Sequence, residues 1–325
     1  MNGLPRGVGL VFCIGAQKGG TSWLYETLLD SPSCHFGATK EMHYFDVHAG
    51  TEMSHLQERI TLARRRVDAL QTRVGPDNET NLHHLAHLVD LLRMYSGPRH
   101  GPDQHRPYLA HLLKGHAGKR WLCDFTPSYA ALPTQVFAEM AAMGETRFIF
   151  LMRDPVARMW SQLRMWASML PQAPPPDSWA FLKTCQSRLY GLAHSGALPT
   201  LSRADYRRTM LTLEQAVPAE RIHYAFYEDL FTQSAVDRIC DFLGIAPVPA
   251  EATRRVNEGV SVSIPPKEEA LLRRAFAAQY DFVQARFGDA VPAEWQTRHS
   301  PVARCRPAVQ RVAITSDPCL GYQKA

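Results

Sequence analysis

The sequence has no long apolar run. None of its 325 residues lies in a stretch of the roughly 18–20 consecutive apolar residues that a membrane-spanning helix needs. The apolar stretch near the N-terminus is short, is interrupted by Gly7 and Gly9, and leads into a glycine-rich turn, which is not the pattern of a signal peptide. We therefore predict a cytoplasmic chain with no transmembrane segment.

Paired cysteines are also missing. The odd number of cysteines and the lack of a CxxC pair predict reduced thiols, and a bond between Cys305 and Cys319 is the alternative to two free thiols there. The seven cysteines are scattered at positions 13, 34, 123, 185, 240, 305 and 319.

The chain carries no dense basic stripe. Charged residues make up 21% of the sequence and the formal net charge is +5, a mild excess that suits small anionic ligands and not nucleic acid. Hydrophobic residues make up 45%, which is enough to bury one large core.

Apolar segments typical of buried strands alternate with amphipathic segments. We predict strands at 8–14, 34–38, 120–125, 147–152 and 222–226, and helices at 21–29, 134–143, 178–192, 203–216, 233–243 and 268–287, the last ended by Gly288. This alternation predicts an α/β fold with a central parallel sheet flanked by helices, formed by one domain over 1–288. Within it, the polar helical region 51–117 is predicted to be an insertion or a lid, and 289–325 a loosely ordered tail.

A glycine-rich turn, GAQKGGTS (15–22), lies between the first predicted strand and helix. Glycines let backbone N–H groups point inward at an anion, and a helix N-terminus adds positive potential at the same place. We predict that Thr21 or Ser22 caps the helix. The alternative is a tight strand–helix turn with an incidental lysine.

The turn differs from the nucleotide P-loop GxxxxGK[ST] in the place of its lysine. Gly15 and Gly20 have the required spacing, but Thr21 stands where the lysine belongs, and the lysine is Lys18. Asp154 is the nearest candidate for a magnesium-binding aspartate. Such a turn suits one phosphate and one transferring group, with no metal, better than a metal-bound triphosphate. A P-loop kinase or hydrolase is the alternative of another class, as is a non-catalytic nucleotide-binding relative.

Residues 18–24, KGGTSWL, resemble the 5′-phosphosulfate loop of sulfotransferases that use 3′-phosphoadenosine 5′-phosphosulfate (PAPS). That family also has an arginine at the end of a buried strand and a serine eight residues later, the spacing of Arg153 and Ser161. An arginine offers a planar fork of donors matched to phosphate oxygens. The resemblance implies a three-layer, P-loop-like fold and a nucleotide site formed by Lys18, Gly19, Gly20, Thr21, Ser22, Trp23, Arg153 and Ser161.

Further stretches extend the resemblance to about residues 8–288. TPSY (126–129) resembles the family's TPxY stretch, and RIHYAFYEDL (221–230) resembles a late strand with its Tyr-Glu-Asp ending. The loop 257–266 is placed where family members fold a segment over the nucleotide. For Arg153 and Ser161 taken alone, a capping ion pair and a solvated serine are the alternatives.

KEMHYFD (40–46) resembles a stretch of glycan sulfotransferases of the heparan sulfate type. The resemblance implies that Glu41 is the base and His43 a helper, with His43 as the fallback base. Lys18 is then the catalytic cation that stabilises the leaving oxygen. The alternatives are a surface ion pair of Glu41 with Lys40 and a packing role for His43. Phe125 stands where glycan members often carry a lysine, which weakens the inference to a polysaccharide.

The sequence therefore predicts a sulfotransferase that moves a sulfuryl group from PAPS to a hydroxyl or amine. A glycan or glycolipid is the first expectation for the acceptor, and a small alcohol or phenol the second. The arginines at 59, 64–66 and 73 are candidates to bind an acidic acceptor, although a charged helix surface is commoner. The histidines at 83, 84 and 87 are expected to form a solvated helix face and not a metal site.

Overall fold

A single parallel sheet organises the chain. The computed structural model describes residues 3–72, 77–98, 100, 101, 103–198, 203, 205–253, 256 and 262–296. In these residues five strands pair in the order β2-β3-β1-β4-β5, and every pairing is parallel. The strands are β1 (Gly9–Gly15), β2 (Cys34–Phe36), β3 (Trp121–Phe125), β4 (Thr146–Met152) and β5 (Ile222–Phe226). The predicted parallel α/β sheet is confirmed.

Helices cover both faces of this sheet. Alternate residues of β1 enter two different apolar clusters: Phe12 joins one and Val11 the other. A strand buried on both faces explains why β1 is a continuous apolar run. The helices are α1 (Thr21–Leu29), α2 (Tyr44–His48), α3 (Ser54–Thr72), α4 (Asp77–Met94), α5 (Arg106–Leu112), α6 (Thr134–Ala141), α7 (Pro155–Ser168), α8 (Trp179–His194), α9 (Tyr206–Glu214), α10 (Gln233–Leu243), α11 (Pro266–Ala275), α12 (Ala277–Phe287) and α13 (Ala293–Gln296). The three-layer architecture is as predicted.

The predicted single helix over 268–287 is wrong. The chain forms α11 and α12 there, and the junction residue Phe276 has φ −102° and ψ 11°. Phe276 is buried, as are Leu272 and Tyr280 on either side of it. The apolar spacing therefore continues across the break, and periodicity alone does not reveal it.

The end of the described chain packs onto the core. Trp295 is buried, with its ring 5.3 Å from that of Phe226 and 6.0 Å from that of Tyr280. The packed region thus extends beyond residue 288, where the tail was predicted to begin. Residues 297–325, with Cys305 and Cys319, and 257–261 of the predicted nucleotide-covering loop lie outside the described residues.

The sheet order brings three connections to one edge. β1 lies between β3 and β4, so the segments that follow these strands start side by side at their carboxyl ends. In an open parallel sheet, this is the edge where ligands bind. No helix among the described residues is both long enough and apolar enough to cross a bilayer.

Candidate active site

The turn after β1 is held against β4 and leads directly into α1. The Ala16 N–H donates to the Leu151 carbonyl (2.7 Å), and the Gly19 N–H donates back to the Ala16 carbonyl (2.9 Å). A Cβ at Gly19 would lie 2.9 Å from each of those two oxygens, which explains the glycine. The Gly19 N–H is therefore used inside the turn, whereas the sequence assigned it to a phosphate.

Gly20 caps α1, so the prediction of a Thr21 or Ser22 cap is wrong. Gly20 has φ 95°, a left-handed conformation that glycine adopts freely, and Thr21 is the first helical residue. Glycine has no side chain to accept from the first N–H groups of the helix. The first N–H groups of a helix have no carbonyl partner within the helix. Together with the helix dipole, they make the N-terminus of α1 suited to bind an anion.

Arg153, the residue after β4, contacts the turn directly. Its Nη1 donates to the Lys18 carbonyl at 3.2 Å, and its guanidinium lies over the Tyr227 ring at 4.2 Å from the centroid. Ser161 is on α7 and is buried. The two parts of the predicted nucleotide site are thus neighbours in the fold.

Asp154 has a structural role at the start of α7. Its Oδ1 accepts from the Ala157 N–H at 2.8 Å, as a helix N-cap does. Its Oδ2 accepts from the Tyr280 hydroxyl at 2.8 Å. Asp154, the aspartate singled out from the sequence as a magnesium candidate, therefore caps α7 and binds Tyr280 with its two carboxylate oxygens.

Three cations gather at the turn, and within the described part of the chain none of them has an ion-pair partner. Among the described residues, no carboxylate forms an ion pair with Lys18, Arg153 or Arg158. Arg158 is 0% exposed and donates to the Gln162 side chain (2.7 Å) and the Gln17 carbonyl (3.4 Å). Buried cations are normally paired, so this arrangement is suited to an anion.

The pKa of Lys18 reflects the same crowding of positive charge. Burial lowers the pKa of its ammonium first, and the nearby Arg153, Arg164 and Lys40 lower it further. A bound anion would relieve both effects. Sequence analysis did not identify Arg158 and Arg164 as candidates. Both lie on α7, the helix that follows Arg153, and Arg158 is on the buried face of that helix. Two arginines so close to Arg153 in the sequence could have indicated them.

Lys40 connects the segment 40–46 to the turn 15–22. Its ammonium donates to the Ser22 hydroxyl at 2.9 Å and to Glu41 Oε1 at 3.0 Å. The other carboxylate oxygen of Glu41 lies 3.5 Å from His43 Nε2. The ion pair of Glu41 with Lys40 is therefore present, but it lies beside the turn, at the edge of the sheet where the cations gather.

His43 lies between two carboxylates. Its Nδ1 is 2.8 Å from Asp46 Oδ2, which also accepts from the Ser128 hydroxyl. The His43 ring stacks on that of His55 with centroids 3.4 Å apart. Asp46 thus fixes the orientation of the imidazole, and Nε2 faces Glu41, an arrangement in which a carboxylate positions a histidine.

The two candidate bases have opposite pKa shifts. Burial raises the pKa of Glu41, but hydrogen bonds from His43 and Lys40 outweigh it and hold the pKa at about 2. Burial lowers the pKa of His43, but Asp46 and Glu41 outweigh it and raise the pKa above its ordinary value. At neutral pH Glu41 is therefore ionised and has lone pairs that can accept a proton.

The TPSY stretch after β3 positions the segment 40–46. Thr126 Oγ1 accepts from the Met42 N–H at 2.9 Å, and the Tyr129 hydroxyl accepts from the Tyr44 N–H at 3.0 Å. Both hydroxyls in turn donate to Asp124, at 2.6 and 3.0 Å. Burial raises the pKa of Asp124 to about 6, although these hydrogen bonds lower it in part. Sequence analysis identified the stretch but not this role.

The helical region 51–117 supports the same segment from its other side. Arg59 donates to the carbonyls of Met42 (2.7 Å) and Glu41 (2.9 Å), and the Tyr95 hydroxyl donates to Met42 as well (2.8 Å). Arg59 is buried and donates to protein carbonyls, so the expected charged helix surface does not include it. Trp23 is also buried, with its ring edge-on to Phe231 at 5.1 Å between the centroids.

A sequence profile described as the sulfotransferase family matches residues 11–249, well over half of the chain. The chain belongs to the sulfotransferase family. A comparison with curated protein sequences finds no significant match.

One solved sulfotransferase structure supports the fold. This sulfotransferase resembles the crystal structure of a sulfotransferase from Alicyclobacillus acidocaldarius, with a TM-score of 0.56 and 17% identity over 88% of this chain and 98% of that one. The sulfotransferase domain of the Synechococcus PCC 7002 olefin synthase aligns with a TM-score of 0.42 and 19% identity, over 83% of this chain and 94% of that one. The first of these bears out the P-loop-like fold.

Proposed function

We propose that this sulfotransferase uses PAPS as the sulfuryl donor. In this proposal the turn 15–22 and the N-terminus of α1 bind the 5′-phosphosulfate, and Arg153 and Ser161 bind the 3′-phosphate. The observation that carries the proposal is the gathering of Lys18, Arg153 and Arg158 at the turn with no carboxylate partner among the described residues.

The residues fit a nucleotide with two separate anionic groups. Gly20 leaves the first N–H groups of α1 for one group, and the guanidinium of Arg153 offers a planar fork to the other. The contact between Arg153 and the Lys18 carbonyl at 3.2 Å makes the two binding elements adjacent. No metal ion is needed to balance the charge, because the protein supplies the cations.

Lys18 and Glu41 divide the chemistry between them. The donor supplies an activated sulfuryl group; its bond to the 5′-phosphate oxygen breaks as a bond forms from the acceptor oxygen or nitrogen to sulfur. Lys18 stabilises the negative charge that develops on the phosphate oxygen, and Glu41 accepts the proton that the acceptor loses. His43, oriented by Asp46, holds the Glu41 carboxylate in place.

We propose a glycan or glycolipid as the acceptor, through a hydroxyl or an amine. The support is the resemblance of residues 40–46 to the heparan sulfate type together with the arrangement of Glu41 beside His43 and Lys40. Phe125, at the position where glycan members often carry a lysine, is buried, so no contact to an acidic glycan comes from that position.

A labelled-donor assay tests this function. The full chain is incubated with [³⁵S]PAPS and a panel of acceptors that covers glycans, glycolipids, small alcohols and phenols. We expect label in the glycan or glycolipid fraction, its loss in Lys18→Ala, and its retention in Lys183→Ala, a control that removes an exposed lysine. Transfer to a phenol alone would exclude the proposed acceptor class, and phosphoryl transfer from ATP without sulfuryl transfer would exclude the donor.

A further inference from the structure

A second cluster of ligating side chains lies at the far end of α2 from His43. It consists of His48, the last residue of α2, His105, which precedes α5, and Glu139 on α6. None of these residues belongs to the site proposed for sulfuryl transfer. The three come from three separate elements and meet only in the folded chain.

The spacing of the three donor atoms is close to that around a metal ion. Glu139 Oε2 lies 3.5 Å from His48 Nε2 and 4.0 Å from His105 Nε2, and all three atoms are within 4.8 Å of one another. Ligand atoms about 2.0–2.2 Å from a tetrahedral zinc ion are about 3.3 Å apart. Small side-chain shifts are therefore enough to bring all three onto one ion.

Hydrogen bonds fix the tautomer of His105 that a metal requires. The Tyr44 hydroxyl donates to the Gln104 carbonyl at 3.0 Å, so its oxygen accepts from His105 Nδ1 at 3.1 Å. The proton is then on Nδ1, and Nε2 presents its lone pair next to Glu139. A ring N–H held by a polar partner is the usual support of a metal-bound histidine. The side-chain amide of Gln104 lies 2.8 Å from Nε2 and is the group that an ion would displace.

Glu139 provides an independent observation that points to a ligand. Its Oε2 is buried and has no hydrogen-bond partner among the described residues. A buried carboxylate oxygen without a donor is unusual and costs stability. A cation at this point would satisfy the oxygen.

A cavity of about 590 Å³ opens beside the cluster. His105 and Glu139 are in its wall, with Gln104, Leu109 and Met143. Three protein ligands leave the fourth position of a tetrahedral ion vacant, and the cavity has room for a water molecule or a small ligand there.

We propose that His48, His105 and Glu139 form a binding site for a divalent transition-metal ion, with zinc favoured by two imidazoles and one carboxylate. The ion links α2 and α6 to the start of α5 and so stabilises the helix that follows Glu41 and His43. This site is independent of the proposed sulfuryl transfer.

The other histidine cluster serves as a control, because its carboxylate oxygen is already hydrogen-bonded, although His55 Nε2 is buried without a hydrogen-bond partner among the described residues. His43, Asp46 and His55 also come within ligand distance of one another. There, however, Asp46 Oδ2 accepts from both His43 and Ser128, so its lone pairs are already used. A metal at that cluster would have to break these bonds.

Metal titration of the full chain tests the proposal. The chain is stripped with a chelator, dialysed and titrated by calorimetry with Zn²⁺ alone, and Co²⁺ is used to record visible d–d absorption. We expect one Zn²⁺ per chain, a tetrahedral Co²⁺ spectrum and a raised Tm. The affinity should fall at least about tenfold in Glu139→Gln and in His48→Gln, and stay unchanged in His55→Gln.

Circular dichroism shows whether each variant is folded before it is titrated. If one of the two ligand variants does not fold, the other still tests the site. Absence of Zn²⁺ binding by the folded wild-type chain would overturn the proposal. Unchanged Zn²⁺ affinity in both Glu139→Gln and His48→Gln would also overturn it. So would a loss of Zn²⁺ binding in His55→Gln but not in Glu139→Gln, because the ion would then be bound at a different site.

Discussion

Lys40 and Ser22 join two segments of the active site through a hydrogen bond of 2.9 Å. Ser22 lies in the first turn of α1, where an anion would bind, and Lys40 also pairs with Glu41 at 3.0 Å. The same ammonium thus contacts both the turn 15–22 and the candidate base. Binding of an anion at the turn is therefore expected to affect the position of Glu41.

The pH profile of the reaction distinguishes the two candidate bases. Because the pKa of Glu41 is held at about 2, its carboxylate is ionised at any pH above about 4. We predict that kcat/KM is constant from about pH 6.5 down to about pH 5, the range below the raised pKa of His43, and that Glu41→Gln lowers kcat by about 100-fold with nucleotide affinity unchanged.

His43 as the base predicts a different profile. Its pKa is raised above 6.5, so kcat/KM would fall about tenfold for each pH unit below that raised pKa. A declining acid limb of this kind, with turnover unchanged in Glu41→Gln, would contradict the assignment of Glu41 and favour His43.

Two tyrosines that share Asp124 provide a matched pair of variants. The hydroxyls of Tyr129 and Tyr108 both donate to Asp124 Oδ2, at 3.0 and 2.8 Å, but only that of Tyr129 also holds the Tyr44 N–H. We predict that both Tyr→Phe variants lose about 1–3 kcal/mol of stability, and that only Tyr129→Phe lowers kcat, by about tenfold.

Denaturant unfolding and steady-state kinetics on the two variants check this prediction. Nucleotide affinity serves as the control, because no hydrogen bond joins either tyrosine to the turn 15–22 among the described residues. Equal kcat values in the two variants would show that the hydroxyl of Tyr129 does not position the segment 40–46.

His111 makes the stability of the protein sensitive to acid. Burial lowers the pKa of its imidazole to about 4, with further contributions from Lys114 and His87, and both ring nitrogens are buried without a hydrogen-bond partner among the described residues. Between pH 6.5 and about 4 the unfolded chain therefore binds the proton more readily than the folded chain, so stability falls as the pH falls.

The free energy of unfolding is measured at about pH 7 and about pH 4.5. We predict that its decrease between the two pH values is about 2 kcal/mol smaller in His111→Leu than in the wild-type chain. His105 and His223, whose pKa values are also lowered to about 4, leave a residual dependence of the same sign in both proteins. Equal losses in the variant and the wild-type chain would mean that His111 is protonated in the folded state.

The strands and most helices follow from the sequence because each is a local pattern. β5 and α1 occur at their predicted positions, and β1 is shifted by one residue. The break at Phe276 was not predictable, since one non-helical residue leaves the apolar spacing intact. The cap at Gly20 was missed because a positive φ is decided by the path of the turn between β1 and α1.

Proximity was predictable for residues of one segment: Glu41 and His43 were expected to lie together, and they do. The catalytic roles of Lys18, Glu41 and His43 stay predictions. Contacts between distant segments were not predictable. Arg59 is a charged residue on a polar helix, and only the fold shows that it is buried against the carbonyls of Glu41 and Met42. The cluster of His48, His105 and Glu139 likewise comes from three elements whose spacing in the sequence has no metal-ligand pattern.

The central claim is that the cations at the turn 15–22 and Arg153 together bind a nucleotide phosphorylated at both its 3′ and 5′ positions. Calorimetric titration with adenosine 3′,5′-bisphosphate and with adenosine 5′-phosphate measures the contribution of the 3′-phosphate. We predict that the bisphosphate binds at least about tenfold more tightly, and that Arg153→Ala removes most of this difference. Equal affinity for the two nucleotides, or tighter binding of ATP with magnesium than of the bisphosphate, would contradict the account.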